Sequence, residues 1–84
     1  MQEKIQYIER GMVMTDNDLL REKIDESGMT ITSVAKKSGI KRNTFYNRLK
    51  GIGEFTASEI VNLSNVLHLT KPERDKIFLS SNGN

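Results

Sequence analysis

Apolar residues recur along this chain at helical spacing and are repeatedly cut off by glycine. Leu20 and Ile24 stand four residues apart, on one face of a helix predicted over residues 16–27, and Gly28 supplies the left-handed residue that ends it. Met29 then turns inward. Thr30 is the expected cap of a short second helix reaching Ser38, with Val34 and Ala35 toward the core and Gly39 at its end. Ile40 closes the turn beneath. A third helix, over residues 42–50, sets Phe45 and Leu49 on its buried side before Gly51 stops it. Beyond the Gly51-Ile52-Gly53-Glu54 loop, Phe55 serves as a staple ahead of a Thr56 cap, and Ile60, Leu63 and Leu67 form the stripe of a fourth helix. A fifth helix follows Thr70 and returns Ile77 and Phe78 to the core. Three of the helix starts carry a threonine followed three residues later by a carboxylate: Thr15 with Asp18, Thr56 with Glu59, and Thr70 with Glu73, the last with Pro72 in its first turn.

No strand pattern competes after residue 14, and there is no internal repeat or low-complexity tract. The expected fold class is therefore all-α: a compact five-helix domain over residues 14–80, followed by a polar tail at residues 81–84 that frays from Ser80 onward. Residues 1–13 form an N-terminal extension with more than one reading. Ile5, Ile8 and Met12 fit one side of an added helix, while Ile5 and Tyr7 fit an extended arm. Alternatively, the working start is Met12 or Met14, because Glu9-Arg10-Gly11 can be encoded by a purine-rich ribosome-binding sequence.

Composition narrows the chemistry. A chain of 84 residues buries only about 60 to 65 per cent of its unfolded surface, enough for one core with a thin stability margin. The absence of cysteine excludes a disulfide framework and thiolate metal sites, and the single histidine, His68, leaves little for zinc. Near the end of the fourth helix, His68 fits a dipole interaction better than catalysis. No cofactor is implied. Without an apolar run approaching the roughly 20 residues that span a bilayer, or an apolar signal segment, the chain is expected to be soluble and cytoplasmic. Its net charge is only +2, but the distribution is uneven: residues 27–53 hold Lys36, Lys37, Lys41, Arg42, Arg48 and Lys50 with no acidic residue, so the remainder sums to −4. Positive charge is concentrated on the second and third helices, where it would meet phosphates.

A turn-linked helix pair of this kind needs a small residue where the helices cross, a turn residue tolerant of positive φ, and apolar residues locking both helices down. Ala35, Gly39, and the set Val34, Ile40 and Phe45 meet those needs in order. From Asp16 to Leu69, and most closely over Thr30 to Gly51 (TITSVAKKSGIKRNTFYNRLKG), the chain resembles the lambda-repressor-like or Cro-like helix-turn-helix family of phage and bacterial regulators. The following EFTASEIVNLSNVLHLT resembles the fourth-helix segment of short phage-derived members. Two positions depart from that pattern: Ser38 and Arg48 stand where the family is usually apolar, and Leu49 is expected to compensate near the latter.

The resemblance implies that the third helix enters the major groove of a double-stranded DNA operator and presents Lys41, Arg42, Asn43 and Asn47 near base edges. Side-chain chemistry agrees, since arginine bonds bidentately to guanine and asparagine to adenine. Thr44 is a secondary candidate for a thymine methyl group, and Tyr46 for a phosphate or base edge. Thr30, Thr32, Lys36 and Lys50, with the free amides at the second helix's start, suit backbone contacts that set register. Plainer readings stand beside these: a solvated basic surface, polar helix-surface asparagines, and a Tyr46 ring lying across apolar surface.

The carboxylates have no accompanying nucleophile, metal cluster or phosphate loop, so the chain is not expected to be an enzyme. The expected function is a sequence-specific transcriptional regulator, a phage or prophage repressor or Cro-like protein in a bacterial cytoplasm. One recognition helix spans few base pairs, so a homodimer is expected, with an interface around Ile77, Phe78 and Leu79 or, less favoured, at Ile5 and Ile8. The alternative is an antirepressor or modulator that binds another phage regulator protein, with weak or no DNA binding.

Overall fold

Helix caps and buried apolar stripes organise the computed structural model, which describes residues 13–81. In chain order the elements are β1 (Val13–Met14), α1 (Asn17–Ser27), α2 (Ile31–Ser38), α3 (Arg42–Leu49), α4 (Ala57–Val66), α5 (Lys71–Phe78) and β2 (Ser80–Ser81). The fold is all-α in its body, as the periodicity indicated. The readings of Ile5, Tyr7, Ile8 and Met12 lie outside the described residues.

Four of the five described helices start on an oxygen that accepts a backbone amide. Thr30 accepts from Ser33 N, and the Thr56/Glu59 and Thr70/Glu73 pairs each close both bonds of a capping box. The first helix differs from expectation. Asp16, and not Thr15, is its cap, with Oδ1 accepting from Leu19 N at 3.0 Å. The physical reason is tertiary: Asp16 N donates to the Ile77 carbonyl at 2.6 Å, which fixes where the chain turns into α1. A carboxylate also carries full charge to the positive end of the helix, which a hydroxyl does not.

The core gathers one stripe from every helix. Leu20 and Ile24 from α1, Val34 and Ala35 from α2, Phe45 and Leu49 from α3, Leu63 from α4, and Ile77 and Phe78 from α5 are buried together with Ile40 and Phe55. Phe55 is the hub of the aromatic part, edge-on to Phe45 at 5.9 Å and to Phe78 at 5.6 Å. Edge-to-face geometry brings positive ring edges to negative faces and adds to the area buried. Met29, Ile60 and Leu67 pack against this cluster from its rim, as expected.

Two expectations about the C-terminal region are corrected. Ser80 and Ser81, expected at the start of a fraying tail, pair antiparallel with Met14 and Val13 respectively. Backbone pairing of two residues leaves no side-chain alternation to read, so the sequence carried no sign of it. Of the residues expected at an interface between copies, Ile77 is 0% exposed and belongs to the core, while Phe78, 4% exposed, reaches the surface only as part of the floor of a groove between α4 and α5. Leu79 is exposed.

Candidate nucleic-acid interface

The turn between α2 and α3 is built by Gly39 and Ile40. Gly39 has φ 74°, a left-handed conformation that a Cβ disfavours, and its N–H donates to the Lys36 carbonyl at 3.2 Å. Ile40 N donates to the Ala35 carbonyl at 2.9 Å while its side chain is buried. These bonds reverse the chain at the end of α2 and satisfy carbonyls that the helix leaves open. Packing of α2 against both α3 and α4 then holds the pair in place.

Phe45 and Leu49 anchor α3, leaving its opposite side to solvent. At about 100° per residue, Asn43, Asn47 and Lys50 point away from the two buried side chains. All three are exposed, as are Lys41 and Arg42. Asn43 and Asn47 are one turn apart and so share a face. Arg42 lies to their side, its guanidinium 5.9 Å from the Tyr46 ring centroid. Thr44 and Tyr46 are partly buried, and the Arg42 contact gives Tyr46 a place on the flank of the exposed face.

Thr30 and Thr32 are exposed at the start of α2, and Lys36 and Lys37 at its end. The Thr30 hydroxyl accepts from Ser33 N, which leaves its own hydrogen free to donate. At the start of α3, Lys41 makes no side-chain capping bond, so its side chain leaves the first-turn amides uncapped. Among the described residues, none of Lys36, Lys37, Lys41, Arg42 and Lys50 pairs with a carboxylate. Their charge is available.

Arg48 is different. It belongs to the basic run in the sequence, yet its Nη1 donates to Glu59 Oε1 and its guanidinium lies 5.7 Å from the Phe55 ring centroid. Its charge is compensated within the fold. Arg21 also bears on this helix, with Nη2 donating to the Leu49 carbonyl at 3.3 Å from α1. Neither contact has a local signal, because the partners are 11 and 28 residues apart and share no periodicity. Ser38, the other departure from the family pattern, is 1% exposed; its carbonyl accepts from Asn62 Nδ2 at 3.2 Å, but its hydroxyl has no partner.

Among the described residues no three metal-ligating side chains gather, and no helix is long and apolar enough to cross a membrane. No curated protein and no solved structure matches the chain. The helix-turn-helix family model matches residues 20–73, a span that runs from the core of α1 through the turn and α3 into α5. With more than half of the chain matched and the turn, the buried anchors and the exposed third helix in place, this protein belongs to the lambda-repressor-like and Cro-like helix-turn-helix family of DNA-binding regulators.

Proposed function

We propose that the protein is a sequence-specific regulator of phage or prophage type that represses by occupying an operator, with α3 seated in the major groove. The observation that carries this reading is the exposure of Asn43 and Asn47 on the side of α3 away from Phe45 and Leu49, with Arg42 exposed beside them in the helix's first turn. These are the side chains whose donors and acceptors match guanine and adenine edges. Lys41 and Thr44 extend the base-reading set. Thr30, Thr32, Lys36, Tyr46 and Lys50 hold the phosphate backbone and set register.

Useful selectivity requires two copies on half-sites roughly one helical turn, about 34 Å, apart. An exposed groove between α4 and α5, lined by Ala57, Ile60, Val61, Phe78 and Leu79 with Arg74 and Asp75 at its edge, supports an interface on that side of the molecule. Val61 and Leu79 are each more than half exposed there. The same groove is what favours the second reading, a modulator that docks on another regulator.

Selection from a randomised duplex pool at two salt concentrations tests both. Enrichment of one palindromic site, lost in Asn47→Ala, supports the operator-binding repressor. Binding without any sequence preference overturns it, and retention of regulation by Asn43→Ala and Asn47→Ala together with its loss in Val61→Asp supports the modulator.

A further inference from the structure

Glu59 sits where two jobs meet. Its Oε1 accepts from Thr56 N at 3.0 Å, closing the capping box of α4, and the same oxygen accepts from Arg48 Nη1 at the far end of α3. The two side chains are 18% and 20% exposed, and Arg48 is backed by the Phe55 ring, which in turn packs edge-on against Phe45 in α3. The last turn of α3 is thus tied to the first turn of α4 across the Gly51–Gly53 loop, next to Asn47 on the exposed face.

An apolar side chain at position 48 could cover the Phe55 ring that the Arg48 guanidinium now faces. Replacing a partly buried ion pair by apolar groups is commonly neutral or stabilising, so stability alone gives little reason for the pair. What a charged, hydrogen-bonded pair adds is direction: it has one good geometry, whereas apolar contact tolerates rotation and sliding. Base reading has the same demand, because bidentate bonds to base edges weaken steeply as their donors turn out of line.

We propose that Arg48 and Glu59 are positioning residues for base reading: Arg48 does not contact DNA, and the pair fixes the roll of α3 so that Asn43 and Asn47 meet their bases. This rests on the reading of α3 as the recognition helix. A phosphate-contacting Arg48 would have to leave both Glu59 and the Phe55 face, and the sequence run of six cations would then act as one patch. The two roles predict opposite results for Glu59. If charge alone governs, Glu59→Gln removes a negative group beside the DNA-binding helix and tightens binding to every duplex. If position governs, it lowers discrimination, although glutamine keeps the capping bond to Thr56 N.

The experiment compares Arg48→Met, Glu59→Gln and the double variant with wild type. Each is titrated with the duplex most enriched from a randomised pool and with a scrambled duplex of equal length, across a salt series. Asn47→Ala serves as the base-contact control, and thermal melting confirms that each variant is folded. The expected result is a loss of about tenfold in preference for the enriched duplex in each single variant, the order of one base contact. No further loss is expected in the double variant, and the salt slope of Arg48→Met should equal that of wild type. Amide resonances of Asn43 and Asn47 should shift in free Glu59→Gln.

A salt slope reduced by about one in Arg48→Met, with equal weakening on both duplexes, makes Arg48 a phosphate contact and overturns the proposal. Wild-type discrimination in both single variants overturns it too. If Asn47→Ala discriminates as wild type does, the recognition-helix reading itself fails, an outcome separate from the behaviour of Arg48 and Glu59.

Discussion

Lys23 on α1 reaches Glu73 on α5, with Nζ donating to Oε2 at 3.0 Å while Oε1 of the same carboxylate accepts from Thr70 N at 2.9 Å. One carboxylate therefore caps a helix and joins the first helix to the last. The Thr70 amide, then Lys23, hold the Glu73 carboxyl down at about 2, against an ordinary value of 4.5. The bond to Glu73 correspondingly raises the Lys23 ammonium above 10.5.

Acid sensitivity follows from these shifts. A carboxyl whose pKa is lowered by folding contributes stability above its unfolded value of 4.5 and loses it as pH falls toward about 2. Denaturant unfolding of wild type and Glu73→Gln at a series of pH values should show a wild-type advantage that is constant near neutrality, shrinks below pH 4.5 and vanishes near pH 2. An advantage unchanged across that window would show that the bonds to Thr70 and Lys23 do not depend on charge.

Ser38 is buried with a hydroxyl that has no partner, in the last turn of α2. Removing an unsatisfied buried hydroxyl recovers its desolvation cost, and alanine is also the better helix former. Ser38→Ala should stabilise the protein by about 1 kcal/mol in chemical denaturation, with the Asn62 bond intact because it uses the Ser38 backbone carbonyl. Destabilisation would mean that the hydroxyl is bonded in solution.

Two positive-φ positions should respond in opposite directions. A Cβ at Gly39 meets nothing within 4 Å, so the penalty of Gly39→Ala is conformational, about 1 kcal/mol. His68 holds φ 54° just after α4, where its N–H donates to Asn65 and Leu69 N donates to Ser64. His68→Gly relieves that strain and should stabilise by about 0.5 kcal/mol, part of the gain being offset by unfolded-chain entropy. Melting curves of the two variants check both signs.

Base and backbone contacts should separate by salt and sequence. Arg42→Ala should cost about 1 to 3 kcal/mol on the preferred site and relax one of its positions. Lys50→Ala should weaken all duplexes evenly and reduce the salt slope by about one. Equal effects of both changes on every sequence would contradict the division of roles.

Local chemistry wrote most of the fold into the sequence. Thr30, Thr56 and Thr70 cap their helices with bonds that reach only three residues on, and Gly39 turns the chain within a single residue. Phe45 and Leu49, four apart, are buried as their spacing requires, and the exposure of Asn43 and Asn47 follows from the same helix. Such features depend on short-range sterics and periodicity, so they can be read in order along the chain.

Tertiary structure decided what depends on partners distant in sequence. It chose Asp16 over Thr15 because Ile77 offers a carbonyl there, and paired Ser80 and Ser81 with residues at the other end of the domain. It also took Arg48 out of the basic surface and gave it to Glu59. A count of charges records how many cations a helix carries, but which of them face solvent is set by the carboxylates and rings that packing brings beside them.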